Sequence, residues 1–139
     1  ANTLSLHDAL PILKEKYKTG IEHIDVEHEK LFEIGERAYQ LLIDKYDMDK
    51  YDKIVGVIEE LKEYTVYHFN DEEEYMMSIN YKRLFTQKID HAFFIKKIEE
   101  VNLNKIDENQ DEAIMGILTF LNDWLINHIL EKDLLIPAK

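Results

Sequence analysis

Apolar positions recur every three or four residues over four long stretches of this chain, a spacing that lines one stripe of side chains along one face of an α-helix. Ile21, Ile24, His28, Leu31, Phe32, Gly35, Tyr39 and Leu42 form the first stripe and predict a helix from about Thr19 to Lys45. Ile54, Val57, Ile58, Leu61, Tyr64, Thr65, His68, Glu72 and Met76 form the second. After a turn at "SINY", Leu84, Gln87, His91, Phe94, Ile95 and Ile98 mark a third. The fourth runs through Ile114, Ile117, Leu118, Leu121, Trp124, Leu125, His128 and Ile129, and Asp107 with Gln110 three residues on predicts its N-cap. Only four glycines and two prolines punctuate the chain, and both prolines lie near its ends. Short connections make neighbouring helices antiparallel, so the predicted fold class is all-α, an up-down-up-down antiparallel four-helix bundle.

The first dozen residues stand apart from this plan. "NTLSLHDALPI", Asn2 to Ile12, resembles one translated frame of a common sequencing adaptor. Residues 1–12 are therefore expected to be a non-native or disordered segment, His7 is set aside with them, and residues 13–139 are expected to form one bundle domain.

Composition narrows the chemistry. The chain has no cysteine, which removes disulfides, thiolate nucleophiles and iron–sulfur ligation and leaves histidine and carboxylate as metal ligands. A formal charge of -12 argues against nucleic acid and anionic membranes as partners, because both recruit basic patches. Apolar runs are read as shorter than the ~20 residues that span a bilayer, and no secretory signal pattern is present, so the expected location is the cytoplasm.

Within this frame the histidines are informative. His28, His68, His91 and His128 sit among the apolar positions, one on each predicted helix. One such imidazole is ordinarily a core residue hydrogen-bonded to a neighbour. Four in one narrow core each need partners or incur a desolvation cost of roughly 1–3 kcal/mol, and a shared metal satisfies all of them at once. His68 and Glu72, spaced i and i+4, project from one face, and an ionised glutamate in an apolar core needs a cation. Asp133 follows His128 by five residues, which turns it further round the helix, yet near a bundle end both can reach one centre. Imidazole with carboxylate suits iron, manganese, zinc or nickel, and the residues alone do not choose among them.

"GIEHIDVEHEKLF", "HFNDEEEYM", the step from Gln87 to His91 and "WLINHILEKD" together resemble the bacterial hemerythrins, in order and on successive helices, over roughly Tyr17 to Leu135. The resemblance implies a hemerythrin-like bundle around two non-haem iron ions with a bridging oxo or hydroxo group, and reversible binding of dioxygen for carriage, storage or delivery. It implies that His28 and His68 serve one iron, that His91 and His128 serve the other, and that Glu72 and Asp133 bridge them. It also places Phe69, Trp124, Leu125 and Ile129 in an apolar oxygen pocket. One departure stands out: the family has His-x-x-x-His on the third helix, and here Gln87 occupies the first of those positions, a weak neutral donor where a histidine ligand is expected. An indole expected near the start is also replaced, with Leu13 in its approximate place.

Gln87 keeps a second reading open, a di-iron oxidase or peroxidase-like enzyme, beside a third, an oxygen or redox sensor; a metal-free interaction bundle is the remaining rival. Partners implied are dioxygen and an unidentified reductant or oxygen-consuming enzyme. His23 is expected at the surface. Asp25 serves either a cap or a hydrogen bond near the first helix's start, and Tyr64 either aromatic packing or electron transfer.

Overall fold

The computed structural model describes residues 15–101, 106 and 108–138. The expectations for residues 1–12, Leu13 and Asp107 lie outside the described residues. Four long helices follow one another: α1 (Glu22–Ile43), α2 (Tyr51–Ser78), α3 (Leu84–Glu99) and α4 (Gln110–Glu131), with short 3-10 turns at Glu15–Tyr17 and Asp133–Leu135. α1 packs on α2 and α4, and α2 on α3, as antiparallel neighbours of an up-down-up-down bundle.

The predicted stripes face inward. Ile24, Leu31 and Phe32 of α1, Ile54 and Leu61 of α2, Phe94 of α3 and Ile114 and Leu121 of α4 are all essentially inaccessible to solvent. Ile34, Ala38 and Ile126 are buried as well, although they lie outside the stripes read from the sequence. These apolar side chains fall into two clusters. The larger, running from Leu31 and Phe69 to Leu125 and Ile129, fills most of the bundle. The smaller, Ile21, Ile24, Met76 and Ile136, closes one end.

Local chemistry sets the helix ends. Gly20 has φ +84°, a left-handed conformation that side chains disfavour, and Asp25 accepts hydrogen bonds from the amides of Thr19 and Gly20 and from the Thr19 hydroxyl. α1 therefore begins after Gly20, not at Thr19, and Asp25 serves the helix start. At the "SINY" turn Asn80 adopts φ +54°, its amide donates to Met77 O and that of Tyr81 to Met76 O, the pair of bonds that closes a helix in a Schellman motif.

The start of α4 differs from expectation. Asn109 is its N-cap: the Asn109 side-chain oxygen accepts from the Glu112 amide, and Glu112 accepts from Asn109 Nδ2 in return. Gln110 is engaged elsewhere, accepting from the Lys50 amide at 2.6 Å and donating to Asp49, which ties α4 to the connection between α1 and α2.

A second correction concerns hydropathy. Gln110–Leu135 reaches a mean hydropathy of 1.3 and is long and apolar enough to cross a bilayer, contrary to the reading of the apolar runs. In the bundle its apolar residues Ile114, Ile117, Leu121, Leu125 and Ile129 turn into the core, which explains the composition without a membrane.

Candidate metal centre

A layer of polar side chains separates the two apolar clusters. His28 from α1, His68 and Glu72 from α2, Gln87 and His91 from α3, His128 from α4 and Asp133 from the turn beyond it are all buried. Every ligand position expected from the sequence thus lies in this layer, Gln87 included.

The spacing on each element explains the convergence. His68 and Glu72 are one turn apart on α2 and share its inner face. Asp133 arrives by a different route from the one expected. A continuous helix would carry it well round from His128, but α4 stops at Glu131, and Lys132 at φ -121°, ψ -57° leads into the 3-10 turn that re-aims Asp133 inward.

Both carboxylates divide their oxygens between two pairs of imidazoles. Glu72 Oε2 lies 3.6 Å from His28 Nε2 and 3.5 Å from His68 Nε2, while its Oε1 lies 3.0 Å from His91 Nε2. Asp133 Oδ2 lies 3.1 Å from His28 Nε2, and its Oδ1 lies 3.2 Å from His128 Nε2. Two groups of ligand atoms result, each within 4.8 Å: His28, His68, Glu72 and Asp133, and His91, His128, Glu72 and Asp133.

These approaches are close but not aligned as hydrogen bonds. Both nitrogens of His28, the Nε2 atoms of His91 and His128, both oxygens of Glu72 and Oδ2 of Asp133 have no hydrogen-bond partner. An orphaned buried group of this kind costs roughly 1–3 kcal/mol. So many in one layer fit lone pairs that converge on common cations, and nitrogen with carboxylate oxygen is a donor set for a first-row metal such as iron.

Charge balance in the metal-free chain points the same way. Burial works against a charged His28, but Asp133 and Glu72 beside it raise its pKa to about 10. Burial likewise opposes charge on His91, and Glu72 and Glu73 outweigh it, giving about 9. His68 is pushed down to about 4 by burial and stays neutral. Asp133 is held well below the usual carboxylate range despite its burial, by His128 and His28. Two carboxylates buried in apolar surroundings thus draw protons onto two imidazoles, the positions where cations would otherwise sit.

Supporting side chains orient the imidazoles. His68 Nδ1 lies 2.6 Å from Glu27 Oε1, and His91 Nδ1 lies 2.7 Å from Glu73 Oε2. With Nδ1 donating its proton outward, the Nε2 lone pair faces the cluster. Glu27 is itself buried, and burial first, then a hydrogen bond with Asp71, raises its pKa to about 9. Sequence reasoning missed both carboxylates. Glu27 was detectable, because it falls three residues after Ile24 and four before Leu31 and so belongs to the inner face. Glu73, half-buried beside Glu72, carries no such signal.

Of the expected pocket residues, Phe69, Leu125 and Ile129 are buried and Trp124 is half-buried. Phe69 stacks on His91 with ring centroids 4.0 Å apart, and Trp124 stacks on His128 at 4.4 Å. Their closest aromatic contacts are therefore with the His91 and His128 side, while Phe69 also meets His68 at 5.5 Å. His23 is half exposed and lies 3.5 Å from Asp71, at the surface as expected. Tyr64 packs against the larger apolar cluster.

Comparison with known proteins agrees with this geometry. The family model described as "Hemerythrin HHE cation binding domain" matches residues 19–138. A bacteriohemerythrin of Clostridium acetobutylicum is 50% identical over 122 residues, covering 88% of this chain and 95% of that protein. A bacteriohemerythrin of Pseudomonas paraeruginosa is 31% identical over 123 residues, 88% of this chain and 76% of its own. A myohemerythrin of Theromyzon tessulatum is 29% identical over 126 residues, 90% of this chain and 89% of its own. With that match over nearly the whole bundle, the chain belongs to the hemerythrin family.

Proposed function

We propose that this chain binds dioxygen reversibly at a carboxylate-bridged pair of non-haem iron ions, as a carrier, store or delivery protein. The observation that carries this reading is the division of Glu72 and Asp133 between two imidazole pairs, one oxygen of each carboxylate toward each pair. One cation needs only one such set; two sets sharing both carboxylates suit two cations side by side. In this reading His28 and His68 hold one ion, His91 and His128 the other, and Glu72 and Asp133 join them.

Reduced non-haem iron would supply the electrons for oxygen binding and take them back on release. The protein's part is positional. Glu27 and Glu73 fix the tautomers of His68 and His91. The two buried carboxylates provide negative charge against the ions, and Phe69, Leu125 and Ile129, with Trp124 at their edge, exclude water from the imidazole side. Spent protein that has oxidised returns to service through an unidentified reductant.

Metal content and the optical spectrum of the reduced protein before and after air test the reading. Two irons per chain and a charge-transfer band that appears with oxygen and fades under vacuum are expected; a colourless protein that takes up no iron refutes it. Gln87 favours a second reading, peroxidase- or oxidase-like turnover, because a carboxamide replaces an imidazole in the ligand layer. Sustained consumption of peroxide with a reducing substrate would select that one.

A further inference from the structure

α3 turns one face to the centre and the opposite face to solvent. Gln87, His91, Phe94 and Ile98 are buried, whereas Phe85, Ile89 and Phe93, spaced i, i+4 and i+8, are 73%, 54% and 49% exposed. Together they present on the order of 300 Å² of apolar surface in one stripe, a size that on a monomer is often functional. Cations surround it. Lys82 and Arg83 lie at one end, Lys96 and Lys97 at the other and Lys88 on one flank, all exposed, with Lys97 Nζ 5.6 Å from the Phe93 ring centroid. Among the described residues Lys82, Arg83, Lys88 and Lys96 have no ion-pair partner. Residues 81–98 carry five Lys or Arg and one Asp, net +4; the rest of the chain, 12 basic and 28 acidic residues, comes to -16.

The same face adjoins the centre. A groove of about 370 Å³ between α2 and α3 is edged by Lys88, Ala92 and Lys96 and reaches Phe69, Glu73 and His91. A partner seated on α3 therefore lies over one of the ligand positions, one helix width of about 10 Å from the inner face.

We infer that the outer face of α3 docks a small acidic electron-carrier protein, which returns the oxidised centre to its ferrous state. The inference rests on the iron reading above and names the class of its reductant. The carrier gives up one electron per encounter, and two encounters restore two ferric ions to ferrous. Charge and area decide the occupant. A second copy of this chain meeting the same face would set five cations against five, and the apolar stripe falls short of the ~800 Å² per partner of a stable interface but suits a transient electron-transfer contact. A bilayer would cover both flanks and so meet Glu73 and Glu99 in the groove and Asp90 on the α4 side, whereas a small protein can address the cations alone.

A plant-type two-iron ferredoxin, an acidic one-electron carrier of low potential, is the probe. It is added to the full-length, iron-loaded, oxidised protein. Calorimetry with the oxidised probe reads docking, and stopped-flow decay of the ferric charge-transfer band with the reduced probe reads electron delivery. The rate should fall at least tenfold between low salt and about 0.5 M, and about tenfold in Lys88→Glu with Lys96→Glu, whose iron content and reduction by dithionite stay native. Ile89→Ser should weaken docking about tenfold and keep the salt dependence, and Lys45→Glu, beyond the end of α1, should change neither. Should the double variant fail to fold, Ile89→Ser and the salt dependence decide. A probe that does not dock, a rate indifferent to salt and to the α3 charges, or a preference of this face for phosphatidylglycerol vesicles overturns the inference. A chain that takes up no iron overturns the iron reading, and calorimetry with the oxidised probe still tests the docking face.

Discussion

Glu27 offers the sharpest test of how the centre is built, because two substitutions separate its acceptor oxygen from its charge. Glu27→Leu leaves the His68 Nδ1 proton, buried on a side chain 1% exposed, without an acceptor. Loss of a supporting partner of this kind lowers metal affinity about 10- to 100-fold, or roughly 1.4–2.7 kcal/mol. Glu27→Gln keeps a carbonyl oxygen for the imidazole and offers an amide proton to Asp71, so its iron affinity should stay within about threefold of the native value. Stability needs a separate account. In the metal-free chain burial holds the Glu27 carboxyl at a pKa of about 9, so near neutral pH it is an uncharged acid and glutamine mimics it closely. Leucine relieves that burial but orphans His68 at about 1–3 kcal/mol, so its metal-free melting point should fall by no more than ~12 °C, at about 4 °C per kcal/mol for a chain this size. The decisive quantity is the gap between iron-loaded and metal-free melting points, measured by calorimetry together with iron retention against a chelator. The gap should shrink in Glu27→Leu and survive in Glu27→Gln. If both shrink equally, orientation of His68 by an acceptor is not what Glu27 supplies.

Gln87→His should slow oxidation of the oxygenated protein in air, read as a longer lifetime of its charge-transfer band; an unchanged lifetime removes the link between Gln87 and reactivity. Asn109→Ala deletes the cap of α4 and should cost about 1 kcal/mol in urea unfolding without altering iron content. Leu121→Ala, at a fully buried position of the larger cluster, should cost roughly 2–5 kcal/mol and likewise leave iron stoichiometry intact, since it touches the core and not the ligand layer.

The bundle was legible because helical periodicity is a long-range signal: each stripe repeats over several turns, so a misplaced residue such as Ile34 or Ala38 does not shift the face. Helix boundaries were less legible, since they depend on single side chains with competing uses. Gln110 fits a capping pattern in sequence, but its amide bonds instead to Lys50 and Asp49 across the bundle end, and the Asn109 side chain caps α4 by accepting from the Glu112 amide. Among site residues, the imidazoles announced themselves as polar groups on apolar stripes. Glu27 lies beside His28 in an acidic stretch, and only its register, three residues after Ile24 and four before Leu31, marks it as inward. Asp133 was placed in the centre for an incomplete reason: the helix does not carry it there, and a break at Lys132 does.

That break bears on why the centre lies where it does. α3 enters the ligand layer near its start and α4 leaves at its C-terminal end, whereas α1 and α2 each run more than a full turn of helix beyond their ligands on either side. A site made from helix ends can be closed by short segments that fold back. Here Ile136, beyond the Asp133 turn, joins Ile21, Ile24 and Met76 in the smaller apolar cluster, and the Tyr75 hydroxyl donates to Pro137 O at 2.8 Å. The same few residues that aim Asp133 inward therefore seal the polar layer from solvent on its open side. Ligand placement and water exclusion become one structural event, which suits a metal centre in a dry interior. Gln87 lines a small void of about 10 Å³ there with Tyr81, Arg83, Thr86, Lys132 and Leu135.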